Sequence, residues 1–427
     1  MFRSDPHYIL IFSTATHLQM KKCLIPALAA LFLSALQISA QQTGCPDRLA
    51  VNYNPEAIAN DGSCRYNQAN IIPLGSLELE AEIAETSGLI FWDNMFWTHN
   101  DDHDINLYGL DTIYGKVTRT YPLHGISNTD WEEISQDESH IYIGDFGNNS
   151  GNRRDLKIYM ISKQSIIDNS PLYDSICFSY PEQTDFNPGS YNSDFDCEAF
   201  IVSEDSLYLF TKGWASRQTT LYSLPKTPGT WDAKRKASLN VNGLITGAVY
   251  NRDKRIIVLT GYSNKLQPFL YLLYDFAGTD FFGANKRKID LLLPYHQVEA
   301  ITTTKGTRFF ITNEAFSYKP VVRVSQKIHL VDLRSFLGNY LGLPLPIPDE
   351  LNSFIISPIP ANNYIMVQGL PELIPANYLI VNMSGRIVKT GALESDISMV
   401  SLSGLSSGIY LLRIGNERLY AYKIVKE

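Results

Sequence analysis

This 427-residue chain is short of basic charge: 36 lysines and arginines face 44 acidic residues, for a net charge of -8 and a pI near 5.6. Neutralising phosphates needs a basic surplus on some face, so the composition argues against a nucleic-acid binder. Long apolar runs are scarce too. One lies near the N-terminus, "CLIPALAALFLSAL". It is too short to span a bilayer as a mature helix, and no other segment approaches the roughly twenty apolar residues that a membrane helix needs. Cysteine is rare, with five residues in all. What abounds is Tyr (25), Phe (20), Gly (27) and Pro (21), a mixture that suits many short strands joined by turns. At 44% apolar and 12% aromatic, the chain has material for two or three packed domains. The expected class is all-β.

The apolar run follows "MKK", so Met20 reads as the true start of a signal peptide cleaved after Ala40, with residues 1–40 absent from an exported, soluble mature protein. A lipid anchor on Cys45 is the rival reading, opposed by Gln42 where a lipobox wants an aliphatic residue. Cys23 leaves with the signal. The remaining four cysteines suggest the pairs Cys45–Cys64 and Cys177–Cys197, each closing a loop of about twenty residues worth on the order of 3 kcal/mol. Export to an oxidising compartment favours structural sulfur over a nucleophilic Cys197, although Glu198 adjoins it.

Three segments follow. In "GCPDRLAVNYNPEAIANDGSC" (44–64) the runs Asn52–Pro55 and Asp61–Gly62 are turn formers, and too few apolar groups remain for a core. Asp47, Asn54 and Asp61 are either calcium ligands or turn residues. The stretch, taken as a module over 41–66, resembles a short unit of surface and secreted proteins in bacteria that use type IX secretion; Pro46 departs from the usual small or polar residue. At the other end, the breaker-rich "LGLPLPIPDE" marks a linker, 341–352. Beyond it, 353–427 holds six or seven closely spaced alternating runs, expected to form a small Ig-like β-sandwich. "ISPIPANNYIMVQ", "LIVNMSGRIVKTG" and "GLSSGIYLLRI" resemble the C-terminal sorting domain of type IX cargo, through Pro358, Pro360, Asn362, Gly385, Gly408 and Tyr410 among others. The resemblance implies passage through the type IX machinery, then release or attachment to the outer cell surface.

Between them, about 70–340, "WEEISQDESHIYIGD" recurs as "CEAFIVSEDSLYLFT", "TGAVYNRDKRIIVLT", "TSGLIFWDNMFWTHN" and "VEAITTTKGTRFFITN". Taking the second position of each as marker gives Ser87, Glu132, Glu198, Gly247 and Glu299, with spacings of 45, 66, 49 and 52. Periods of this size mark the blades of a β-propeller, whose units must ring an axis to bury both faces. The arithmetic predicts five blades, closed by pairing "NIIPLGSLEL" with "KIHLVDL"; six is the alternative, should the 66-residue step hide another unit. In outline the repeat resembles bacterial propellers of the NHL and phytase-like kind.

Equivalent positions on innermost strands converge at a channel mouth, so Glu132, Glu198 and Glu299 are expected to meet there. A second tier holds Asn100, Asp145, Thr211 and Asn313, with Asp101, Lys212 and Glu314 alongside. Such hard oxygen donors suit calcium, with Glu132, Glu198, Glu299, Asn100 and Asn313 as candidate ligands. A hydrolase would then use Glu132 or Asp145 as base and Lys212 against developing negative charge. The plainer reading has each Glu capping backbone N–H groups or pairing across blades. His99 and His103 in "HNDDHD", the "DFGNN" turn, Arg153 and Arg154 carry weaker signals, with inter-blade loops the favoured reading. The five tryptophans are expected chiefly at blade interfaces. Two functions remain: a binding or adhesion module for a glycan, peptide or surface partner, or a calcium-dependent phosphoesterase or lactonase.

Overall fold

The computed structural model describes residues 42–343 and 354–427, apart from 103, 190, 319–321, 370–372, 384 and 417–419. The expected leader, His103 and most of the linker fall outside the described residues.

Strands dominate, and the fold is propeller-like. Five four- or five-stranded sheets succeed one another along the chain, each starting on a strand that carries a repeat marker: Thr86–Trp92, Trp131–Gln136, Cys197–Ser203, Leu244–Asn251 and Val298–Lys305. Each first strand packs beside the next, and the fifth packs beside the first, so the sheets close a ring. In "HIYIGD", Ile141 and Ile143 join Ile90 and Trp97 of the preceding sheet, while Tyr142 joins Phe200 and Leu209 of the following one. Alternate side chains thus enter two different cores, which is why these strands are apolar on both faces. The 66-residue step between Glu132 and Glu198 is taken up by loops and the short helix Lys163–Ile167.

Closure comes from the N-terminal side. Gly75–Glu78 pairs antiparallel with Lys327–Asp332 as the outer strand of the fifth sheet, and Asn70–Ile71 adds in parallel to Asn285–Leu291 of the fourth. One hydrogen-bond chain fixes the first pairing: His329 Nε2 donates to Asn313 Oδ1 at 2.7 Å, and Ser76 Oγ lies 2.7 Å from His329 Nδ1.

Cys45 and Cys64 form a disulfide, and the loop they staple is fastened to the fourth sheet. Buried Asp47 accepts the hydroxyls of Tyr66 and Tyr274, while Asn60 Nδ2 donates to Asp275 and Asn285. Asn54 and Asp61 bond backbone N–H groups two residues on, the turn arrangement. The second expected disulfide does not form: Cys177 and Cys197 are free. Cys177 sits on the fourth strand of the second sheet and Cys197 opens the innermost strand of the third, so twenty residues of chain run from rim to axis between them.

Residues 354–427 form two further sheets. Phe354–Ser357, Tyr364–Gly369 and Ile397–Ser401 make one, and Ile387–Leu393, Ala376–Asn382, Gly408–Ile414 and Tyr420–Lys426 the other. They share a core that includes Ile365, Val400, Ile380 and Leu412.

Candidate functional site

Each glutamate of the repeat is the extra residue of a β-bulge. In the second sheet Trp131 opposes Asp145 and Glu133 opposes Gly144, leaving Glu132 unpaired. Glu198 is skipped in the same way between Cys197 and Ala199, and Glu299 between Val298 and Ala300. A bulge re-aims one side chain out of the pleat, here toward the ring axis. In the fourth sheet the skipped residue is Thr246, so the repeat marker there shifts by one from Gly247. Thr246 and Ser87 turn their hydroxyls onto the backbone carbonyls of Val298 and Glu132 in the neighbouring sheets.

The bulges open on a polar cavity of about 250 Å³. Glu132, Glu198, Glu299 and Lys212 line it, together with Glu85, Asp101, Asp130, Glu314, Gln297, Asn149, Tyr191, Trp214 and Tyr262. Seven carboxylates therefore surround one lysine. Lys212 lies 2.8 Å from Glu198 Oε1. Burial alone would lower its pKa, but Glu198, Tyr262, Glu299 and Glu132 hold it well above the usual lysine range. Burial pushes Glu132, Glu198 and Glu299 well above the carboxylate range, Lys212 opposes the shift, and their acidic neighbours add to it. Glu132 and Glu299 are only 6% and 7% exposed, yet neither carboxyl has a hydrogen-bond partner among the described residues. Gly147 allows this crowding, since a Cβ there would lie 2.3 Å from Glu132 Oε1.

At the mouth, Glu85, Asp101 and Glu314 bring carboxylate oxygens within 4.8 Å of one another, the one such trio among the described residues. Burial, then Glu85 and further acids, push Asp101 up to about 7; burial with Glu85 and Asp101 does the same to Glu314. The calcium ligands expected from the repeat are not a comparable cluster: Glu132, Glu198 and Glu299 share the cavity without forming such a trio.

The rest of the second tier turns away. Asn100 Nδ2 donates to Glu82 O and Asp104 Oδ2, and Asn313 Nδ2 donates to two backbone carbonyls, so both are strand-end clamps rather than cavity ligands. Asp145 is wholly buried against Arg153 at 2.8 Å and does not line the cavity, which removes it from a base's position. Asp101, Lys212 and Glu314, which follow Asn100, Thr211 and Asn313, face the axis instead, as alternation along a strand requires. Burial lowers His99 to about 4, and its ring packs edge-on against Trp131. Arg154 stacks on Phe186. In "DFGNN", Asn148 clamps the loop by accepting from Arg153 N, and Asn149 alone of the two asparagines reaches the cavity.

Sequence reasoning missed Glu133. Fully buried, it accepts from the backbone N–H of Ile134 at 3.0 Å and, across the ring, from that of Ala248 at 2.8 Å. It thereby spans the centre of the ring between the second and fourth sheets. It also missed Glu85 and Asp130, which stand two residues before the markers Ser87 and Glu132 as Gln297 stands before Glu299, a shared repeat position that could have found them, and the aromatics Tyr191 and Tyr262. A larger groove, about 700 Å³, lies between the stapled loop and the outer part of the fourth sheet, but Asp47 and Asn60 there are already engaged.

A search of curated proteins finds no match. Among solved structures, the chain is similar to PorZ, described as an essential bacterial surface component of the type-IX secretion system of Porphyromonas gingivalis, at 10% identity and TM-score 0.30 over 86% of this chain and 49% of that one. It is also similar to the extracellular domain of BT4673 from B. thetaiotaomicron (12% identity, TM-score 0.29, 85% of this chain and 59% of that) and to the WD40 repeats of RRP9 (11%, 0.29, 58% and 67%). The chain thus spans about half the length of the PorZ structure. No helix among the described residues is long and apolar enough to cross a membrane. Residues 356–427 match the family of secretion system C-terminal sorting domains, which marks the chain as type IX secretion cargo, secreted or attached at the outer surface.

Proposed function

We propose that the chain is exported as a stapled loop (41–66), a five-bladed propeller (70–340) and an Ig-like sorting sandwich (353–427), and that the propeller binds an extracellular partner at its acidic mouth. One observation carries this reading: Glu132 and Glu299 are more than nine-tenths buried, face a cavity, and lack hydrogen-bond partners among the described residues. A carboxyl that faces a cavity and has no partner within the protein is free to meet the donors of a ligand. Glycan and peptide arrays probed with the native chain and with the Glu132→Gln/Glu299→Gln variant are the test. We expect a ligand class retained by the first and lost by the second; identical profiles would remove the mouth as the binding site.

The trio Glu85, Asp101 and Glu314 supports a second reading, a calcium-dependent hydrolase. Its hard oxygens fit calcium, which when bound would polarise a carbonyl or phosphoryl oxygen. Lys212 would offset negative charge and Glu132 would move the proton. Calcium retained on dialysis, lost in Asp101→Asn, together with turnover of a phosphoester or lactone, would favour this reading over simple binding.

A further inference from the structure

We infer that the group received by the mouth is a primary ammonium on a slim alkyl arm, the side chain of a lysine in a peptide or protein partner. This deepens, and rests on, the reading of the mouth as a binding site. Seven carboxylates line the cavity, and its one cation, Lys212, is already committed to Glu198 at 2.8 Å. Glu132 and Glu299 are left facing the space as acceptors without donors. An ammonium brings three donors and no acceptor, the complement of that wall. A neutral sugar brings hydroxyls that donate and accept in equal measure, and an anion meets repulsion from every side.

The aromatic wall fits the same group. The Tyr191 and Trp214 rings lie 4.5 Å apart, and the indole N–H of Trp214 donates to Asp196 at 2.8 Å, which fixes the ring's attitude. Lys212 Nζ sits 4.9 Å from the Trp214 ring and 5.7 Å from that of Tyr262, so this wall already accommodates one ammonium. The narrow volume, about 250 Å³, favours a compact point charge on a flexible stem over a broad planar guanidinium. Entry of a cation makes ionised Glu132 and Glu299 favourable again, so binding should expel protons.

Calorimetry on the full chain with the peptide Gly-Gly-Lys-Gly-Gly, its Nε-acetyl-lysine form and its arginine form tests the inference. The lysine peptide should bind and release on the order of one proton, read from two buffers of different ionisation enthalpy. Acetylation, Glu132→Gln and Glu299→Gln should each weaken binding at least about tenfold. Acetylation alters only the ligand, and Trp214→Leu at the rim offers a further variant should the glutamine forms fold poorly. No binding of the lysine peptide, or equal binding of its acetylated form, overturns the inference. A glycan or calcium captured in its place, and lost in the same variants, would overturn the inference while leaving the mouth as a binding site. Failure of all probes would end both.

Discussion

Lys212 and Glu198 form a buried ion pair within a group of acids, and the lysine's charge is what lets Glu198 tolerate its place. Removing one partner of such a pair strands the other in a medium that solvates it poorly. Lys212→Met should therefore cost about 3 kcal/mol of stability by denaturant unfolding, and adding Glu198→Gln should recover part of the loss. Strictly additive losses would argue against coupling. A second consequence concerns Asp101 and Glu314, both pushed up to about 7, and faced by Glu85, Asp102, Asp130 and Lys212. The folded chain holds these protons more tightly than the unfolded one. Their contribution to stability is full below about pH 4 and is lost as pH rises through about 7. Melting temperatures taken in metal-free buffer should fall between about pH 5 and about pH 8, and Asp101→Asn should flatten the slope. A native profile equally flat would contradict the crowding of charge at the mouth.

At the scale of the element, the bulge explains how a regular repeat makes an irregular site. The sequence shows "WEE", "CEA" and "VEA" in register, but which of two adjacent glutamates faces the axis is set by the bulge, not by the period. Glu132 is skipped and faces the cavity, whereas Glu133 is paired and spans the ring's centre. Glu133→Ala would leave the N–H groups of Ile134 and Ala248 without their acceptor, at about 2–5 kcal/mol. Glu133→Gln should be milder, because an amide oxygen can still accept. Equal stability of native and alanine forms would mean that water takes the carboxylate's place. The same one-residue ambiguity displaced the marker in the fourth sheet from Thr246 to Gly247, and it sent the expected ligands Asn100 and Asn313 into the sheets while Asp101 and Glu314 reached the mouth.

For the whole molecule, ring closure joins Gly75–Glu78 to Lys327–Asp332 across some 250 residues of chain, so the ring depends on both ends of its segment. The sorting tail adds a separate core and a destination. In a bacterium with type IX machinery, a chain lacking 356–427 should stay inside the cell, as measured by immunoblot of surface and medium fractions. Its appearance outside would mean that another signal directs export.

By itself the sequence determined the all-β class, the repeat, the Cys45–Cys64 staple and the export signal at the C-terminus. Each is a local pattern: alternation, spacing, a short loop or a contiguous motif. Only the tertiary structure decided which acids share a cavity and which are clamps, and that Cys177 and Cys197 stay apart. The physical reason is that these outcomes depend on distance through space around a closed ring, where a one-residue bulge turns a side chain from core to axis.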